Sequence, residues 1–377
     1  MNHSSPNPRI QRLTPLDDAL ARLAAETPLA PPLTRAVADA TGAVLASDIR
    51  APADLPASPV AYSDGWAVNA EDLVGASAYS AAVIAPPPTW VDADDPMPSG
   101  VDSVVPPDAV TIPAPGMAEA SASVAPGHGV RNTGQDVKSG ALLIPAGTRL
   151  APRHIGILTL SGFGTIDVRM PRIRIVLASA AAARHADMVR MWLQLAGTEI
   201  AETISVPGAR NDLAAAYRKP GADFILSLGG TGQGRSDCAV AALKDAGTVE
   251  LQGVALRPGE TSSFGRVGTV PVLLLPGRAD GVIAGVLALA KPIVTGLSGL
   301  TQPDWLAPVR LASKASSTIG LTEFFLGLPE KEAIRPLPLD EAGFEALGRA
   351  VGWFTVPPGS EGFAAGDVVH LRPFQPR

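Results

Sequence analysis

The chain has 377 residues, 46% of them hydrophobic, enough for two to four domains with real cores, which excludes a wholly disordered protein. A formal charge of −6 argues against a sequence-independent grip on nucleic acid, and the lone Cys238 excludes an intrachain disulfide or a zinc site built from several thiolates. A reducing, cytoplasmic setting is expected: MNHSSPNPRIQRL has no signal-peptide pattern, and the apolar segment Gly281 to Ala290 is too short to span a membrane. The histidines His3, His128, His154, His185 and His370 are scattered without metal-ligand spacing.

After a disordered-looking start, Thr14-Pro15 is expected to cap a helix with Leu16, Leu20, Leu23 and Ala24 on one face. A second helix is expected from about Leu33 to Gly42, then a short strand at Val44 to Ala46. In Ser63-Asp64-Gly65-Trp66, an Asp-Gly step suits a hairpin turn, and equally the display of Asp64 at a tip where its carboxylate reaches a ligand or metal. Residues 78 to 126 read as small β structure with long loops, ending in a polar knot that sets Arg131, Asp136 and Lys138 beside glycines. A strand over Ala141 to Pro145, a helix over 151 to 160 and a strand over Gly164 to Arg169 follow, with a boundary at Pro171.

From Arg172 the pattern becomes α/β, with strands at 173–178, 200–206, 224–228, 249–255 and 270–275. Helices are expected at 186–196, where Met188, Met191, Trp192 and Leu195 share a face, and at 212–217 and 280–297. Such alternation predicts a parallel sheet with helices on both faces and ligands at the carboxyl ends of its strands. Two turns there stand out. The first is Gly229-Gly230-Thr231-Gly232-Gln233-Gly234, with Ser236 as N-cap and Asp237 in the first turn of the next helix. Its glycines let the backbone approach a phosphate, and helix-start amides supply partial positive charge; a plain strand-to-helix turn uses the same residues. The second is Pro276-Gly277, and between them Arg257 could bring a guanidinium to a phosphate. Residues 307 to 377 read as a small β-rich domain with one short helix.

The segments SDGWAV (63–68), PMPSGVDSVV (96–105), RNTGQDVKSG (131–140), IGILTLSGFGTIDV (155–168), GGTGQGRSD (229–237), RPG (257–259), LPG (275–277) and EGFAAGDVV (361–369) occur in one order. In that order the chain resembles the molybdopterin molybdotransferases, the MoeA proteins and the E domain of gephyrin, from about Leu16 to Pro373. The resemblance implies an elongated, usually dimeric, multidomain α/β plus β chain. Its parts would be residues 1–56 packing with 141–170, a small β-rich domain at 57–140, a molybdopterin-binding α/β domain at 171–300 and a C-terminal β domain at 301–377. It also implies molybdate insertion into molybdopterin, often adenylylated, with release of AMP, and a molybdoenzyme client as a further possible partner. Asp64, Asp136 and Asp237 would be catalytic, with Asp64 and Asp237 holding Mg²⁺. Gly229, Gly230, Thr231, Gly232, Gly234, Ser236, Arg257, Pro276 and Gly277 would bind the pterin phosphate.

Four departures accompany the resemblance. An alanine run replaces an acidic turn at 179–183, and Ala93-Asp94-Asp95 replaces Thr-Gly-Ala. Glu260 stands where the family has lysine, and Arg278-Ala279 where it has Asn-Pro. They keep open an alternative, a non-catalytic carrier or maturation chaperone for the cofactor.

Overall fold

The computed structural model describes residues 7–206, 208–303 and 305–374; His3 lies outside them. The chain forms two compact units. The first takes in the residues up to Ser47, Ala146–Ile155 and everything from Gly164, and the second Asp48–Pro145 with Gly156–Phe163.

The first unit is built on a six-stranded sheet in the order Glu199–Ser205, Arg172–Leu177, Phe224–Leu228, Val270–Leu275, Ser263–Val267, Thr248–Gln252. The first four strands are parallel, as expected, but Ser263–Val267 runs antiparallel to both its neighbours, so that the edge strand Thr248–Gln252 points the same way as the four. Sequence reading missed the strand at 263–267. Val267 and Val270 pair across the two-residue turn Gly268-Thr269, where Gly268 has φ +60°. A two-residue loop allows only an antiparallel return, because a parallel one needs a crossover.

Strand residues alternate between two cores. Ile173, Ile175, Leu177, Phe224, Leu226, Leu228, Leu273 and Leu275 face one layer, with the helices Leu16–Ala25, Ala186–Leu195 and Ala279–Ser298. Val176, Ile225, Val272 and Leu274 face the other, with Arg210–Arg218 and Ala239–Ala246. Each such buried side chain stabilises the unit by about 1.5–3 kcal/mol, which makes the central strands its most firmly anchored part.

Several local expectations are corrected. Leu33–Ala36 is a strand rather than a helix, because it pairs with Thr165–Arg169, and only Val37–Asp39 makes a helical turn. Thr14 does not cap: Pro15 holds the cap position without a side-chain bond, while the Thr14 backbone pairs with Gly253 and Ala255. On Ala186–Leu195 the buried residues are Val189 and Leu193, whereas Met191 and Leu195 are exposed, so the apolar stripe is turned from the expected one. The segment thought too short to span a membrane belongs to a 20-residue helix, Ala279–Ser298, long and apolar enough to do so. It is 72% buried inside the protein, as a core helix is. Val286–Ala290 within it is a π-turn, just ahead of Pro292, whose missing N–H breaks the regular ladder.

A second sheet in the same unit carries Thr322–Glu330, Gly352–Val356, Val368–Pro373 and Ala307–Arg310, flanked by Leu256–Arg257 and Ala333–Pro338. Phe324 stacks on Trp353 with centroids 4.5 Å apart, and both join the large core. The C-terminal β-rich region is thereby continuous with the α/β core.

The second unit is made of small antiparallel sheets: Thr89–Val91, Gly65–Val68 and Ser103–Val105; Ala82–Ile84, Met117–Ala120 and Val110–Ala114; and two strand pairs. Its cores are small, one around Val68, Leu73 and Val105, the other around Ala61, Val91 and Val104.

One buried charge tests the first unit's packing. The Arg174 side chain is only 1% exposed, with Nε 2.6 Å from Glu202 and its other nitrogens on the carbonyls of Lys219 and Pro220. Lys219 first and Arg174 second hold the Glu202 carboxyl below its ordinary 4.5. A lowered carboxyl stabilises the fold fully above its unfolded value, and that stability is lost as pH falls through the lowered native value. Wild-type thermal midpoint should therefore fall more steeply below pH 4.5 than that of Glu202→Gln, as differential scanning calorimetry would record. Arg174→Ala, which empties a buried side-chain site and leaves Glu202 with Lys219 alone, should cost about 2–3 kcal/mol in urea unfolding.

Candidate functional site

Three strand-to-helix turns meet at the carboxyl ends of the parallel strands in the first unit, where ligands of such sheets sit. They follow Arg172–Leu177, Phe224–Leu228 and Val270–Leu275, and bring Ser179, Gly229-Gly230 and Pro276-Gly277 together. The approach is so close that it needs glycine. A Cβ on Gly277 would stand 3.1 Å from Ser179 Oγ and 3.3 Å from Gly229 Cα. One on Gly229, whose φ is +89°, would overlap Ser179 Oγ. Ser179 caps the short helix Ala180–Ala183, its Oγ accepting from the Ala182 N–H at 3.2 Å, so the alanine run still makes a turn but no carboxylate.

The glycine-rich turn is tied down from several sides. Asp237 folds back, its Oδ2 accepting from the Gly234 N–H at 2.7 Å. Thr231 is buried, and its hydroxyl lies 2.8 Å from that of Thr261. Ser236 is exposed and does not cap: the helix begins at Ala239, with Cys238 in the cap position and no cap bond from its side chain. The cap comes instead from the other end of the chain. Asn7, 4% exposed, accepts from the Ala241 N–H at 3.2 Å through Oδ1 and donates through Nδ2 to the carbonyls of Gly230 at 2.8 Å and Gly232 at 3.0 Å. Gln233 and Gln252 both donate to the Pro8 carbonyl, and Ile10 and Leu13 pack over Gly253, so residues 7–13 are ordered against this site rather than loose. Among the described residues, the backbone N–H groups of Thr231, Gly232 and Gln233 have no acceptor.

The charges around the turn differ from expectation. Arg257, expected to face a phosphate, is already matched by Glu260 at 3.1 Å and Glu323 at 3.3 Å. Arg278 is paired with Asp280 at 2.7 Å. Among the described residues, exposed Arg235 has no ion-pair partner and is the cation the turn itself offers. Burial, then the charge of Asp237, push the Cys238 thiol up, so it is no ready nucleophile.

Asp64 and Asp136 belong to the second unit. The strands either side of Asp64, Val60–Ala61 and Gly65–Val68, lie in different sheets, so the hairpin reading fails and the carboxylate stands exposed. Its Oδ1 accepts from the Ala93 N–H at 2.8 Å. Arg131 pairs with Asp136 at 3.1 Å and also with Asp94, which adopts a left-handed φ of +72°. The short segment Ala93-Asp94 thus touches both Asp64 and the Arg131–Asp136 pair. Among the described residues no group of three or more His, Cys, Asp or Glu could hold a metal ion.

Asn7, Ser179 and Arg235 were missed as site residues in the sequence. Asn7 lies in a Pro-flanked tail without periodicity, and Ser179 sits within an alanine run; only Arg235, inside the glycine-rich segment, carried a signal.

Residues 14–162 match the family described as MoeA N-terminal region (domain I and II), and residues 175–296 match the probable molybdopterin binding domain. The molybdopterin molybdenumtransferase of Haemophilus influenzae is 22% identical, over 89% of this chain and 92% of its own. Molybdopterin molybdenumtransferase 2 of Mycobacterium tuberculosis is 26% identical, over 72% and 76%. The solved MoeA protein from Pyrococcus horikoshii shares the fold, with a TM-score of 0.78 at 20% identity over 96% of this chain and all of that one. Both halves of the sequence, and the order of the two folded regions, lead to one assignment: the chain is a member of the MoeA family.

Proposed function

We propose that this protein acts in molybdenum cofactor biosynthesis, inserting molybdate into molybdopterin, in its adenylylated form, with release of AMP. The observation that carries the reading is the convergence of Ser179, Gly229-Gly230 and Pro276-Gly277 beside amides that have no acceptor among the described residues. Successive unpaired backbone N–H groups in a turn favour an anion, and the glycines admit it closely. The transferase names of the relatives support the reading and give the carrier alternative less behind it.

In this proposal the backbone amides of Thr231, Gly232 and Gln233 hold the pterin phosphate, while Gly229, Gly230 and Gly234 shape the turn, the N–H groups of Gly229 and Gly234 being held by the Leu275 carbonyl and by Asp237 Oδ2. Arg235 adds charge, Ser236 is an exposed hydroxyl at the rim, and Pro276-Gly277 closes the crevice. Asp237 keeps the turn in shape, since its Oδ2 is bound to the Gly234 N–H. Asp64 is the exposed carboxylate available to the reacting groups, and Arg131 sets Asp136 beside it through Ala93-Asp94. Arg257 positions the 257–263 loop through Glu260 and Glu323 rather than gripping phosphate. The described residues do not build a protein-only Mg²⁺ cage. A divalent cation at the glycine-rich turn would draw most of its oxygens from phosphates and water, with Asp237 as the carboxylate of that unit. A homodimer, a molybdoenzyme client, a cytoplasmic setting and the four-part domain division belong to the same proposal.

Purified protein given adenylylated molybdopterin, molybdate and Mg²⁺ should release AMP, measured by chromatography. Tight binding without AMP would overturn the transferase reading in favour of the carrier. Asp64→Ala should lower turnover by about 100-fold or more while leaving ligand affinity within about twofold, the pattern of a group acting in the transition state; unchanged turnover would remove Asp64 from the site.

Gly229→Ala should weaken molybdopterin binding at least about tenfold and cost about 1–3 kcal/mol of stability, since alanine is strained at positive φ and meets Ser179. Equilibrium dialysis and urea unfolding read the two effects. Binding equal to wild type would refute the crevice.

A further inference from the structure

We infer that Asn7 is the positioning residue of the phosphate cradle: its carboxamide, contributed from near the start of the chain, sets the direction in which the glycine-rich turn presents its amides. The inference deepens the proposed molybdopterin reading and rests on it for the identity of the anion.

The argument begins with the peptide plane. In a trans peptide the C=O of one residue and the N–H of the next point in opposite directions. Asn7 Nδ2 binds the carbonyl oxygens of Gly230 and Gly232, at 2.8 and 3.0 Å. The same two peptide units carry the N–H groups of Thr231 and Gln233. Pinning both carbonyls toward Asn7 therefore turns both amides away from it, toward one side. Those amides are among the ones without an acceptor in the described residues.

Glycine makes the constraint necessary. Gly230 has φ +72°, and Gly232 and Gly234 flank Gln233, so the segment has more backbone freedom than any other part of the site. The Gly230 carbonyl is also held by the Ala239 N–H at 3.0 Å, but the Gly232 carbonyl has only the Gln233 side chain at 3.4 Å besides Asn7, and without Asn7 that peptide unit could rotate and direct its oxygen, which repels phosphate, to the ligand side. One primary amide supplies two donors in a fixed plane and so restrains two alternate peptide units at once. Its oxygen has a separate task, accepting from the Ala241 N–H at 3.2 Å and so satisfying one of the helix's orphan donors. Asn7 is 4% exposed, and the Pro8 carbonyl is held by Gln233 and Gln252, so the carboxamide is braced where it acts.

The two ends of the carboxamide can be separated by substitution. Asn7→Asp keeps an acceptor for Ala241 but loses both donors; Asn7→Ala loses everything without adding charge. Molybdopterin affinity and thermal midpoint would be measured on full-length wild type and both variants. The expected result is at least a tenfold loss of affinity in both variants, with the midpoint of Asn7→Asp closer to wild type than that of Asn7→Ala. Affinity unchanged in Asn7→Ala would overturn the inference. A loss confined to Asn7→Asp would do so too, as simple repulsion between a new carboxylate and the phosphate.

The second arm uses inorganic phosphate and amide NMR, and does not depend on the pterin. Phosphate should shift the Thr231 and Gln233 amides in wild type and leave the Gln233 amide nearly unmoved in Asn7→Ala; equal Gln233 shifts in the two proteins, or none in wild type, would overturn the inference. If wild type fails to bind molybdopterin yet shows the phosphate shifts, the function proposed above is lost and the role of Asn7 stands.

Discussion

The site depends on one steric constraint: three strand-ending turns approach so closely that Cβ atoms cannot stand between them. Gly277 lies against Ser179 and Gly229, and Gly230 against Ala178 and Ala239, where an added Cβ would stand 3.3 and 3.2 Å away. The parallel strands beneath are buried on both faces and fixed in register, so they cannot spread to make room. Small residues at the meeting point are therefore a condition of the architecture. What the glycines give in return is bare backbone in a tight turn, whose N–H groups favour an anion without a side-chain cation.

That constraint makes sense of the charges nearby. Arg257 and Arg278, both close in sequence to the turns, are matched by carboxylates of the same unit. A matched guanidinium offers little to a ligand, because its fork is already filled. Glu260, which reverses a charge relative to the family pattern, has a local partner in Arg257 and a bond to the Gly259 N–H at 3.1 Å. Its negative charge is absorbed within its loop instead of being left to face a phosphate. Attraction for the ligand then falls to unpaired amides and to Arg235, a weaker and more directional arrangement than a cluster of lysines.

Much of the fold was legible because its elements are local. Periodicity found the four parallel strands and most of the helices between them, and the order of turn segments found the family. The failures have physical causes. Leu33–Ala36 was read as helix because its pattern is ambiguous over four residues, and only its pairing with Thr165–Arg169, far along the chain, decides for strand. The antiparallel strand at 263–267 was missed because its central Gly265 and polar Ser263 weaken a strand pattern. In the site, the glycines were legible as a motif, whereas the cap was assigned to Ser236 as the nearest suitable side chain. Asn7 takes that role from 234 residues away, and no local rule reaches so far.

The alanine run at 180–183 bears on what kind of protein this is. Read as sequence it is a loss, acids replaced by methyl groups. In the fold it is also a fit: Ala182 is fully buried, and its Cβ would lie 3.3 Å from any Cβ placed on Gly229. A longer acid at that position would need room that the packing around Ala182 does not leave as built. In the proposed function, binding rests on this close-packed backbone site, while the exposed carboxylates Asp64 and Asp136 belong to the other unit. On the proposed function, holding the ligand and acting on it fall to different residues, so substitution of Asp64, rather than of the glycine turn, separates a transferase from a carrier.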